Sequence, residues 1–290
     1  MSRAARPRPT FIPSPSAEAV LAESAGDAAF ATTLAKGLVV LEAFEAGAML
    51  GNMEISLRTG IPRPTVARLT HTLTELGYLR HEPALAKYGV GARALRLVHP
   101  LLADMPFRQR ARPLMQDFAM SVRGTVSIGL LDGPSMIYVE TARSGDVGHI
   151  PDIGMPIPVV STAMGRAASS TLPMWDARVL EQHIKAADGA MWDEFSEAYR
   201  AGLQQCIERG FATCFGEYMP AIHAVAAPLF RLRDRSFAIN CGIPAFRLLP
   251  GQLEAEIGPR IVALAASIRA IVNEAAPTTE PGERQKKTVK

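Results

Sequence analysis

Cysteine is scarce in this chain: there are three among 290 residues, Cys206, Cys214 and Cys241, with no CxxC pair. That spacing excludes a disulfide framework and a cysteine zinc site, and it fits a reducing compartment. Histidine is nearly as sparse, six residues without HxxxH or HExxH spacing, so no metal site is expected. No GxSxG elbow, P-loop or GxGxxG fingerprint occurs, so no catalytic residues and no cofactor are expected. Cys214 and His223 share one stretch, but no cationic group adjoins Cys214 to lower its pKa, and an inert buried thiol is the expectation. No apolar run reaches the length that crosses a bilayer. The basic, proline-rich opening lacks the apolar core of a secretory signal, so a cytoplasmic chain is expected. Excess charge of one sign is also missing: the formal net charge is +3, which permits nucleic-acid binding without arguing for it.

What is present is apolar mass. Hydrophobic residues make up 48% and charged residues 20%, enough for packed cores, and the length allows two domains. Residues 1–28 are rich in Pro, Ala, Ser and Arg and read as a disordered arm carrying Arg3, Arg6 and Arg8. Residues 276–290 read as a disordered polar tail. Between them the expected fold is α+β. A winged helix-turn-helix domain is expected over 29–91 and a linker helix over 92–103. An α/β domain with a central, mostly antiparallel sheet is expected over 104–275.

The first helix is expected over Thr33–Ala46, with Leu34, Leu38, Leu41 and Phe44 as its apolar stripe. A short helix over Gly51–Arg58 stops at Thr59-Gly60, and a third starts at Pro62 or Arg63 and runs to Leu76. Val66, Leu69, Leu73 and Leu76 form the buried stripe of that third helix. Arg63, Pro64, Thr65, Arg68, His71 and Thr72 are left facing outward, and no acid appears before Glu75. A helix that enters a major groove needs this combination: no anions, small residues for close approach, and Arg or Thr to reach phosphates and bases. Two short strands around HEPALA follow, a wing offering Arg80 and Lys87 to phosphates.

Later, a helix is expected over Pro113–Met120. Strands over Thr125–Leu131 and Met136–Thr141 flank the hairpin signal Asp132-Gly133-Pro134-Ser135. A Gly- and Pro-rich loop spans Ser144–Pro158. A hydroxyl-capped helix start at Thr162 leads into Ala163-Met164-Gly165, where free amides and small residues would admit an anionic ligand. Two helices, three strands and a last helix disturbed at Gly258-Pro259 complete the pattern.

The runs TTLAKGLVVLEAFEAG, MEISLRTGIPRPTVARLTHTLTELGYL and YGVGARALRL together resemble the IclR family of bacterial regulators, over about residues 32–274. The resemblance implies a double-stranded DNA operator, a small-molecule effector, a homodimer or homotetramer, and no membrane partner. It implies an effector pocket at Ala163, Met164, Cys214, Ala224, Asn240 and Gly242. Where the family often carries polar residues, this chain has Cys214, Ala224 and Gly242, and Val160 stands in place of a frequent His. Only Asn240 keeps its hydrogen-bonding group, so the expected effector is larger or more apolar than a short keto acid, such as an aromatic acid. Met136, Met155, Met164 and Met219 are candidates for an adaptable lining. The alternative is a small-molecule binding protein or enzyme whose first module serves dimerisation only.

Overall fold

A computed structural model describes residues 24, 26–145, 151–232 and 234–274. The expected arm, with Arg3, Arg6 and Arg8, lies outside the described residues up to position 23, as does the expected tail over 276–290.

Three helices open the fold: α1 (Thr32–Glu42), α2 (Asn52–Thr59) and α3 (Arg63–Glu75). The stripe expected on α1 is shifted: Leu34 and Leu38 are exposed, and Gly37, Val40 and the following Ala43 turn inward. They join Leu50, Ile55, Ile61, Val66, Leu69 and Leu79 in one small core. Gly60, at φ 68, ends α2 in the left-handed region that only glycine enters cheaply, and so sets the turn into α3. Strands β1 (Leu79–Glu82) and β2 (Lys87–Val90) pair antiparallel, Leu79 opposite Val90 and Glu82 opposite Lys87. The hydrogen-bonded pair Leu50–Tyr88 fastens this wing to the segment before α2.

Helix α4 (Leu95–Ala103) links the halves and buries none of its residues. Leu95, Leu97, Val98 and Leu101 are exposed along it. Its last turn is tied down by Arg108, which donates to the Leu102 carbonyl at 3.4 Å and pairs with buried Glu140 at 3.5 Å. Arg112 holds the other Glu140 oxygen at 2.9 Å. Both arginines lie on α5 (Phe107–Val122), which is longer than its expected span and passes through Pro113.

The second half is a six-stranded sheet in the order β5-β4-β3-β8-β7-β6, every neighbouring pair antiparallel. Its strands are β3 (Thr125–Asp132), β4 (Ser135–Arg143), β5 (Pro156–Pro158), β6 (Ala212–Phe215), β7 (Ile222–Leu232) and β8 (Arg235–Pro244). Strand β5 lies within the stretch expected to be loop. Side chains alternate between the faces. Val126, Ile128, Val225, Ala227, Phe237, Ile239 and Cys241 pack under α5 and the final helix α9 (Gly258–Glu274). A π-helical turn over Leu253–Ile257 precedes α9, so the irregularity expected near Gly258 is present. The other face carries α6 (Ala163–Ser169), backed by α8 (Gly189–Arg209) and α7 (Met174–Ala187). The sandwich of helices over both faces lets a cavity persist against the sheet without reaching the core on the far side.

Candidate nucleic-acid interface and ligand cavity

Helix α3 is anchored from behind by Val66, Leu69 and Thr70. The Thr70 hydroxyl, absent from the expected stripe, donates to Asn52 Oδ1 at 3.0 Å and so locks α3 to α2. Arg93 closes the other end, donating to the Leu76 carbonyl at 2.9 Å. On the opposite face Arg63, Pro64, Arg68, His71 and Thr72 are exposed and Thr65 is half-buried. The Thr72 hydroxyl is returned to its own helix, donating to the Arg68 carbonyl at 3.0 Å. Arg63 and Arg68 make no ion pair among the described residues, so two guanidinium groups project from α3 uncompensated.

The wing divides its cations. Arg80 is exposed and packs across Gly89, whereas Lys87 is half-buried and bound to Glu54 at 3.0 Å. Glu54 also accepts from the Gly51 amide at 2.7 Å as the capping residue of α2. The Gly51 and Lys87 hydrogen bonds hold its carboxyl below the ordinary range. Lys87 therefore pins the wing to α2 instead of standing free as expected.

In the second half, a cavity partly open to solvent lies between the sheet and α6; its space, counted together with the open solvent at its mouth, is about 590 Å³. Ala163, Cys214, Ala224, Asn240 and Gly242 line it. Met164 does not. It is fully buried in the α6 core, and its sulfur occupies the space a side chain at Gly129 would need. Of the other expected methionines, Met219 lines the cavity; Met136 is buried beside Gly129 and Met155 is packed against the α6 core.

Sequence reasoning missed Thr125, Ser127, Tyr138 and Tyr218, which also face the space together with Thr162, the helix start it had singled out. Thr125 and Ser127 alternate with core residues Val126 and Ile128, a polar period-two signal that was available in the sequence. Tyr218 follows β6 in a connection that carries no such pattern. The Ser127 hydroxyl is paired with Thr141 at 3.1 Å, and the Cys214 thiol donates to the Ser161 carbonyl at 3.4 Å. By contrast, Thr125 Oγ1 and Asn240 Oδ1 are buried without a partner. Burial pushes the Cys214 thiol up to about 11, so it is neutral at pH 7 and no nucleophile. Burial likewise raises Tyr138 and Tyr218, keeping both phenols protonated as hydrogen-bond donors. No Lys, Arg, His, Asp or Glu lines the cavity among the described residues.

The Thr162 hydroxyl caps α6 as expected, accepting from the Gly165 amide at 3.2 Å. The helix has only seven residues, which limits its macrodipole. Among the described residues no group of His, Cys, Asp or Glu is placed to hold a metal, and no helix is long and apolar enough to cross a membrane.

Comparison with known proteins agrees with both halves. Residues 33–83 match the IclR helix-turn-helix domain, and residues 99–270 match the bacterial transcriptional regulator IclR C-terminal domain. The chain is 26% identical over 249 residues to the HTH-type transcriptional regulator TsaQ1/TsaQ2 of Comamonas testosteroni, covering 84% of this chain and 90% of that protein. It is similar to an IclR family transcriptional regulator from Brucella abortus, with 33% identity, a TM-score of 0.74 and coverage of 83% and 92%. It shares its fold with an IclR homologue from Microbacterium hydrocarbonoxydans solved with 4-hydroxybenzoate, at 18% identity, a TM-score of 0.64 and coverage of 84% and 100%. The named relatives are regulators, not enzymes, and IclR-family regulators bind DNA and small-molecule effectors. A winged helix-turn-helix with an uncompensated cationic face, joined to a helix-covered antiparallel sheet that holds a polar-floored cavity, is the arrangement this comparison names: the chain belongs to the IclR family of bacterial transcriptional regulators.

Proposed function

We propose that the chain controls a catabolic operon in response to a small organic acid, of aromatic size, bound in the cavity beneath α6. The observation that carries this reading is the pairing of two features in one chain: Arg63 and Arg68 on α3, which make no ion pair among the described residues, and a largely apolar cavity with unpartnered polar atoms. In this reading α3 enters the major groove. Arg63, Pro64, Thr65, Arg68, His71 and Thr72 face the duplex, and Arg80 on the wing reaches a phosphate. Lys87 holds the wing in place for that contact.

The apolar wall of Ile157, Ala163, Ile222 and Ala224 suits a ring, and the protonated Tyr138 and Tyr218 phenols can donate to a carboxylate where no cation lines the cavity among the described residues. That the Microbacterium hydrocarbonoxydans homologue holds 4-hydroxybenzoate supports an effector of this size. The exposed leucines of α4 support pairing with a second copy, which would set two reading heads on a pseudo-palindrome. Ligand then acts through its differential affinity for two spacings of those heads.

A thermal-shift screen of aromatic and aliphatic acids, repeated in a mobility-shift assay, tests the reading. We expect an aromatic acid to raise Tm and to change the affinity for selected DNA. Acids that raise Tm while leaving DNA affinity unaltered contradict it.

A further inference from the structure

Two polar atoms at the cavity floor have nothing to bond. Thr125 is 5% exposed, and its Oγ1 has no partner; Asn240 Oδ1 is in the same position. A buried hydroxyl or amide without a hydrogen bond is costly, and such groups in a folded protein call for an explanation. The neighbouring floor hydroxyl, Ser127, is satisfied by Thr141, so the shortage is local to Thr125 and Asn240.

The sheet register places them together. Thr125 lies opposite Gly242, and Ser127 lies opposite Asn240, so Thr125 and Asn240 are diagonal neighbours on one face of β3 and β8. Glycine at 242 leaves the space directly across from Thr125 empty of any side chain. A Cβ there would meet only Ile222 Cγ2, at 3.4 Å, so the gap is not forced by crowding. Asn240 contributes Oδ1 as the unused acceptor.

We infer that Thr125 and Asn240 form a recognition pair for a hydroxyl group on the ligand, with Thr125 as the specificity-determining residue. The reasoning is one of donors and acceptors. A threonine hydroxyl both donates and accepts, whereas an amide oxygen only accepts. The ligand group between them must therefore carry a hydrogen for Asn240 Oδ1, and toward the Thr125 hydroxyl it can offer a lone pair or a second hydrogen. An alcohol or phenol supplies the hydrogen and the lone pair. An ionised carboxylate has no hydrogen to give and would face Oδ1 as an anion beside an acceptor. A bare ring edge leaves both groups unsatisfied, and sites built for a hydroxyl strongly reject analogues that lack one. The inference rests on the effector reading above and refines it: the acid is a hydroxy acid, with its hydroxyl on β3 and β8.

Calorimetric titration of the full chain with benzoate, 3-hydroxybenzoate and 4-hydroxybenzoate tests it, alongside Thr125→Val and Thr125→Ser. We expect at least one hydroxybenzoate to bind the unaltered chain about tenfold or more tighter than benzoate. Thr125→Val, which keeps the shape and removes the hydroxyl, should bring that ligand and benzoate within about threefold of each other, and Thr125→Ser should restore the gap. Because it deletes an unpartnered buried group, Thr125→Val should unfold without ligand at a Tm no lower than that of the unaltered chain. Equal binding of benzoate and both hydroxybenzoates overturns the recognition pair while the aromatic-acid reading stands. A gap that survives in Thr125→Val assigns the hydroxyl elsewhere and also overturns it. Binding of none of the three defeats the aromatic-acid reading and this inference with it.

Discussion

The two halves of this regulator use opposite parts of their structure. In the N-terminal half the working surface is the outside of a helix: eight small and medium side chains pack one small core, and Arg63 and Arg68 project away from it. In the C-terminal half the proposed working part is an interior gap, lined by Ala163, Ala224 and Gly242 and by Thr125, Tyr138 and Asn240. An exposed face announces itself in sequence through charge and helical period, because solvent and core select different residues every three or four positions. A gap is defined by what its neighbours fail to fill, and no periodicity records that.

This difference governs how much could be read in advance. The bounds of α2 and α3, the wing and the turn at Gly60 follow from local pattern; on α3, Arg63, Pro64, Arg68, His71 and Thr72 face outward as the pattern implies, but Thr65 is half-buried and Leu76, expected in the buried stripe, is exposed. In the C-terminal half the strands, the caps at Thr162 and Gly210 and the disturbed last helix were legible. Of the cavity positions, Thr125 and Ser127 left a period-two signal in β3, whereas Ala163, Cys214, Ala224, Asn240 and Gly242 were reached through family resemblance. Met164 shows the limit of that route: one residue along from Ala163, it turns into the core of a helix buried on every side. Two further misses come from proline. Pro113 reads as a helix start, yet α5 runs through it from Phe107. Pro156 and Pro158 read as loop, yet they form β5 at the sheet edge, where a missing amide is tolerated.

The contrast can be broken at its strongest point in the core of the second half. Phe237 is fully buried against Phe107, with ring centroids at 5.5 Å, on the sheet face away from the cavity. Phe237→Ala should cost about 3–5 kcal/mol in chemical denaturation. A loss below about 1 kcal/mol would mean that this face is not the rigid wall that keeps the cavity open.

A smaller effect should come from the buried thiols. Burial raises Cys206 and Cys214 to about 11 and Cys241 to about 12, from an ordinary value near 9. Folding favours the neutral thiol, so this contribution is complete below pH 9 and is lost as pH rises through about 11. Denaturation midpoints should fall between pH 9 and pH 11, and less steeply in a variant with all three cysteines replaced by alanine. Equal slopes in the two proteins would place the thiols in water.

The least effect is expected at Lys87. Its ion pair with Glu54 is screened by solvent, so Lys87→Ala should leave folding nearly unchanged. If Lys87 serves only to hold the wing, the dependence of DNA affinity on salt concentration should keep its slope. A decrease in slope of about one would show instead that Lys87 neutralises a phosphate.

The account stands most directly on the outer face of α3. DNA selected from random duplex by the unaltered chain should be titrated, by fluorescence anisotropy, with that chain and with the double variant Arg63→Ala, Arg68→Ala. A base-contacting arginine is worth about 1–3 kcal/mol, so the double variant should lose roughly tenfold or more in affinity and keep its Tm. Retained affinity for the selected sequence would contradict the assignment of α3 as the element that reads DNA.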